Sequence, residues 1–255
     1  MSTVERPADT FGAGVEHPVH GPTGWGSPIR DSDRIPANGR AASGPPAPYP
    51  EALPYRPTVR EAMALLRIVD DGSEEGELIR IRRPRLIIGR AAGDGEVVIP
   101  HDISMSPCHA AIERLGDAGW RLSDLGSTGG TFVRVTAARL RDGSVFQVGR
   151  TRLRFQAVDL TEAWLLEERP ERPALRHECH APTTFVGRSG CGCGIGIDDP
   201  FVSPRHAAVR RTPRGWIIEN TGINGLWLRI EGPVRLAAPS QFLCGEQRFV
   251  FMPCG

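Results

Sequence analysis

The chain has 255 residues, 40% of them hydrophobic, and a formal net charge of +1. So balanced a charge leaves no basis for a nucleic-acid or membrane partner held by bulk electrostatics. No run of about 18 apolar residues is present, which argues against a membrane-spanning helix, and no basic segment followed by an apolar one marks a secretory leader, so the expected location is cytoplasmic.

Residues 1–58 are crowded with Pro and Gly, as in Gly44-Pro45-Pro46-Ala47-Pro48, and hold no sustained apolar periodicity. Such a segment cannot bury enough surface to offset its conformational entropy, so a disordered tail is expected there. From Met63 the pattern changes to short apolar runs, each read as a strand: 63–69, 77–81, 85–88, 109–112, 120–122, 131–135, 145–148 and 152–155. Asp70-Asp71-Gly72, Gly93-Asp94-Gly95, Gly116-Asp117 and Asp142-Gly143 supply turn chemistry between them. After a short joint at 158–161, further short runs from Trp164-Leu165-Leu166 to Arg248-Phe249-Val250-Phe251 continue the pattern. Many short strands with no helical pattern predict an all-β architecture, an antiparallel sandwich or barrel.

The second half answers the first. Gly89-Arg90, Ser106-Pro107-Cys108-His109, Trp120, Gly130, Arg134, Gly149 and Phe155 recur in order as Gly187-Arg188, Ser203-Pro204-Arg205-His206, Trp216, Gly225, Arg229, Gly245 and Phe251. The spacing drifts only from 98 residues between Arg90 and Arg188 to 95 between Gly130 and Gly225. A period this long suits a small domain rather than a solenoid unit. The expectation is a tail over 1–58 and two tandem β-sandwiches, over 59–158 and 159–255.

The repeated polar residues fall at strand ends and in loops. Arg90 closes a strand, Ser106 and His109 bracket the entry to the next, and Asp124 to Gly130 form a loop. Loops of a sandwich gather at its ends, so one Arg, one Ser and one Thr from three loops can converge. A guanidinium fork with two hydroxyls and loop amides suits a phosphate. Trp120 and Trp216 share a strand face with Leu122 and Ile218 and are expected in the cores. Arg134 and Arg229 recur, but the alternation assigns them no role, and Arg205 stands where it could flank the second site.

This ordered set resembles the forkhead-associated (FHA) family of phosphothreonine-peptide-binding β-sandwiches, about residues 63–158 and again about 163–255. The resemblance implies that Arg90 and Arg188 pair with a phosphate, that Ser106 and Ser203 donate to it, and that Thr128 helps to hold it. It implies that Asn224 grips the bound peptide's main chain, and that His109 and His206 tie the binding loops together without touching ligand. Two positions depart from the pattern. The first copy has Gly129 at the asparagine position, and the second has Ile223 at the preceding hydroxyl position.

The resulting expectation is a non-catalytic adaptor that reads phosphothreonine written by a Ser/Thr kinase, with no cofactor, no metal, no nucleic acid and no membrane insertion. Two alternatives stay open. One is a structural or assembly module with degenerate phosphate sites. The other is recognition of the chain's own tail, phosphorylated at Thr3, Thr10, Thr23 or Thr58, within one molecule or between two. Catalysis is disfavoured, because Ser106 with His109, or Ser203 with His206, lacks a repeated acidic residue to complete a triad. Cys179-His180 with Cys191 and Cys193 lacks the paired spacing of a zinc site and has no counterpart in the first copy.

Overall fold

The computed structural model describes residues 64–69, 75–91, 93, 96–116, 119–159, 161–169, 172–180 and 182–254. The tail over 1–58 with its four threonines, Met63 and the Asp70-Asp71-Gly72 turn lie outside the described residues. Of the expected turns, Asp142-Gly143 falls wholly within them, and Gly143 adopts φ +83°.

The described residues form twenty strands and no α-helix. The first copy contributes β1 (Ala64–Ile68), β2 (Glu77–Ile81), β3 (Arg85–Gly89), β4 (Val97–Val98), β5 (Ala110–Arg114), β6 (Trp120–Asp124), β7 (Thr131–Val135), β8 (Ala137–Leu140), β9 (Val145–Val148) and β10 (Thr151–Ala157). The second contributes β11 (Ala163–Glu167), β12 (Leu175–Cys179), β13 (Thr183–Arg188), β14 (Ile195–Ile197), β15 (Ala207–Thr212), β16 (Gly215–Asn220), β17 (Leu226–Arg229), β18 (Val234–Leu236), β19 (Ser240–Cys244) and β20 (Gln247–Pro253). Pairing is antiparallel throughout, except that β3 with β4 and β13 with β14 run parallel.

The copies exchange their last three strands. One five-stranded sheet has the order β18-β6-β5-β3-β4 and the other β14-β13-β15-β16-β8, so β18 completes the first copy's sheet and β8 the second's. A ten-stranded sheet of order β12-β11-β10-β9-β17-β7-β19-β20-β1-β2 runs behind both. At its centre β7 pairs with β17, Leu226 opposite Val135, which joins the two sandwiches by main-chain hydrogen bonds. The division at 158/159 therefore describes the sequence repeat, whereas each sandwich draws strands from both halves. The crossing is made at Thr136, the single residue between β7 and β8: β7 lies in the ten-stranded sheet, whereas β8 pairs with β16 in the sheet of the second sandwich. In the second copy, residues 230–233 make the corresponding crossing to β18.

The two hydrophobic cores follow the exchange. Leu66, Ile88, Ile112 and Trp120 pack with Leu236, Phe242, Phe249 and Phe251. Val186, Val209, Trp216 and Ile218 pack with Leu140, Phe146, Leu153 and Phe155. A third cluster, of Phe132, Val145 and Trp227 with Leu243 against it, bridges the central strands of the large sheet. At the expected joint between β10 and β11, Val158 N–H donates to the Glu162 carbonyl at 3.0 Å.

Candidate functional site

In both copies a glycine lets two loops meet. A Cβ on Gly89 would collide with the Pro107 carbonyl, and one on Gly187 with that of Pro204. The close approach allows Arg90 N–H to donate to the Ser106 carbonyl and Arg188 N–H to that of Ser203, each at 3.0 Å. Both arginine side chains are exposed at this end. Arg90 Nε donates to the Met105 carbonyl at 3.2 Å, which steadies the guanidinium.

The serine hydroxyls face the third loop. Ser106 Oγ accepts from Thr128 N–H at 3.1 Å, and Ser203 Oγ accepts from Ile223 N–H at 3.3 Å. Behind them the histidines are fully buried. Ser106 N–H donates to His109 Nδ1 at 3.1 Å, so His109 carries its proton on Nε2 and donates to the Gly130 carbonyl at 3.1 Å. His206 repeats this, accepting from Ser203 N–H at 3.0 Å and donating to Gly225 at 2.8 Å. Burial holds the His109 imidazole below its ordinary value of 6.5, against the raising influence of the Gly130 carbonyl and Asp124. With both ring nitrogens of each histidine engaged by backbone, neither is placed to take a proton from its serine hydroxyl.

Asp124 shapes the first loop. Burial opposes its ionisation, but hydrogen bonds from the Ser127 and Thr131 hydroxyls and the Ser127 and Gly126 amides outweigh it and hold the carboxyl below the ordinary range. In the second copy Asn220 takes this position, its Nδ2 donating to the Gly222 carbonyl at 3.0 Å. Asn224 is exposed, and its Nδ2 donates to the Phe201 carbonyl at 2.7 Å, leaving Oδ1 as an acceptor. Arg205 stacks on the Phe185 ring at 4.0 Å.

The structure adds a second repeated pair, Asp102 and Asp199, both buried. Asp102 Oδ2 accepts from Glu246 N–H at 2.8 Å and Asp199 Oδ2 from Arg150 N–H at 2.6 Å. Each aspartate thus holds, beside its own apex, a turn contributed by the other copy. Gly149 and Gly245 serve these turns, with φ of +58° and +62° and with the aspartate oxygens where a Cβ would be. Arg134 and Arg229 also act across copies, the Nε ends of their side chains lying against Gly225 and Gly130. The signal was available in the sequence: each aspartate stands four residues before the repeated serine.

Among the described residues no three His, Cys, Asp or Glu side chains gather as metal ligands. Cys179 is buried in the second core, whereas Cys191 is exposed.

An FHA-domain family model matches residues 86–149 and 184–243. Among solved structures the chain is similar to the FHA domain of the CT664 protein from Chlamydia trachomatis, with 14% identity, 74% of this chain and 96% of that one covered, and a TM-score of 0.35. It is also similar to a chain described under "Structural and functional analysis of phosphothreonine-dependent FHA domain interactions", with 31% identity, 39% of this chain and 99% of that one covered, and a TM-score of 0.24. No curated protein matches the chain. The two matched stretches contain both arginine, serine and histidine sets described above, and the chain carries two FHA domains in tandem.

Proposed function

We propose that this chain is a non-catalytic adaptor that binds phosphothreonine peptides made by a Ser/Thr kinase, in the cytoplasm. The observation that carries this reading is the repeated apex, where an exposed Arg, a Ser hydroxyl and a loop amide stand together. Arg90, Ser106 and Thr128 offer the fuller phosphate cradle, and Arg188, Ser203 and Asn224 the better hold on a peptide main chain. A phosphate brings about −1.5 to −2 charges and three strong acceptors at pH 7, which such donors match.

Fluorescence anisotropy with degenerate phosphothreonine, phosphoserine and unphosphorylated peptide libraries tests it on wild type, Arg90→Ala and Arg188→Ala. Removing a hydrogen bond to a charged group costs about 1.5–3 kcal/mol, so at least one arginine variant should lose roughly ten- to a hundredfold in phosphate-dependent affinity. Equal binding of phosphorylated and unphosphorylated libraries would defeat the reading. Ile223, 85% exposed at a hydroxyl position, favours a second reading, an assembly module whose second site has lapsed.

A further inference from the structure

Gly129 and Asn224, from the third loop of each apex, line one cleft of about 1040 Å3 on the ten-stranded sheet. Ser104, Gly129 and Glu246 line it from the first sandwich, and Phe201, Asn224 and Arg150 from the second. Trp227 and Leu243, from the central strands, form an apolar floor. The cleft is as large as the upper end of small-molecule pockets, about 300–1,000 Å3, and it is open along the seam between sandwiches.

The departures from the repeat are complementary across this cleft. The first apex has Thr128 but, at Gly129, no side chain to hold a main chain; the second has Asn224 but Ile223 in place of a hydroxyl. Gly129 directly follows Thr128, so the cleft begins where the first phosphate cradle ends, and Asn224 lines the same cleft with Oδ1 left as an acceptor. Charge gives the cleft a preference as well. Arg150, Arg152, Arg169 and Arg248 line it against Glu168 and Glu246. Arg150 is held over the Phe201 ring at 4.3 Å.

We propose that the two apices act as one composite reading surface for a single extended phosphothreonine peptide with acidic residues beside the phosphothreonine. The phosphate sits at Arg90, Ser106 and Thr128, and the adjoining segment crosses the cleft, where Asn224 Oδ1 accepts a peptide N–H and Arg150 faces the acidic side chains. This inference rests on the phosphopeptide reading above and adds that the two copies share one ligand.

The test is calorimetric titration of the full chain with the tightest singly phosphorylated peptide selected from a degenerate phosphothreonine library. The expected result is one peptide per chain, weakened by Arg90→Ala and also, about threefold to tenfold, by Asn224→Ala. Arg150→Glu should weaken the selected peptide more than a version with its acidic residues replaced by alanine. Thermal midpoints report that the exposed-residue variants remain folded. Two peptides per chain, or an Arg90-dependent event indifferent to Asn224→Ala and Arg150→Glu, overturns the composite surface and leaves the reader function standing. Absence of any phosphate-dependent binding overturns both.

Discussion

The Trp120 ring meets the Phe251 ring edge-on, at 5.7 Å between centroids and 63° between planes, although the two residues belong to different copies of the repeat. Phe155 and Trp216 make the reciprocal pair at 6.0 Å. Each sandwich therefore has at its centre an aromatic contact that neither copy makes by itself. Residues 59–158 expressed alone are expected to fail as a folded monomer, because β1–β7 lack β18–β20 and β8–β10 run on into the other sandwich. Circular dichroism and size-exclusion chromatography decide this; a monomeric fragment with cooperative unfolding would show that the exchange is dispensable.

Phe251→Ala offers a sharper form of the same test. Truncating a buried Phe costs about 3–5 kcal/mol, and Phe251 is fully buried in the core beneath the Arg90 apex. Although it lies in the second copy, its loss should impair Arg90-dependent binding more than Arg188-dependent binding. Denaturant titration with anisotropy on each arginine background reads both effects, and the reverse pattern would contradict the exchanged topology.

The two departures are repairable. A Cβ on Gly129 would have Ser104 O, 3.6 Å away, as its nearest neighbour, so Gly129→Asn fits and can donate to that carbonyl as Asn224 does to Phe201. Ile223→Thr changes an exposed side chain and returns a hydroxyl beside Ser203. A gained neutral hydrogen bond contributes about 0.5–1.5 kcal/mol. Each variant should thus tighten phosphopeptide binding by about twofold to tenfold at its own apex, measured with the other arginine removed, at nearly unchanged stability.

His109 predicts an acid sensitivity. Its folded value lies below its ordinary 6.5, so below pH 6.5 the unfolded chain takes up a proton that the folded chain refuses. The stability it contributes is complete above pH 6.5 and is lost as pH falls from there through the folded value. His109→Gln keeps a neutral acceptor and donor in place, so its stability deficit relative to wild type should shrink as the pH is lowered through this range. A deficit independent of pH, in urea titrations across the window, would assign the burial no such effect.

Most strands were legible because their residues alternate or run apolar between turn signals. The apex was legible because Gly-Arg, Ser-x-x-His and the following loop occur twice in order. β8 and β18 were not expected, and they are strands that cross between copies. Each has one large buried side chain, Leu140 or Leu236, opposite Trp216 or Trp120 of the other copy. Strands so short owe their existence to a distant partner, which local periodicity cannot report. For the same reason Arg134 and Arg229 had no reading in the sequence, since what each packs against, Gly225 or Gly130, belongs to the other repeat.

The single residue at Thr136 also bears on how such a gene can change. A chain that loses the second repeat leaves β1–β7 without β18–β20, so the first copy is inherited together with its partner. Loop residues such as Gly129 and Ile223 stand outside both cores, and drift there is invisible to folding. Duplicate binding sites normally free one copy for deletion; here the architecture retains both copies while letting each site specialise or decay.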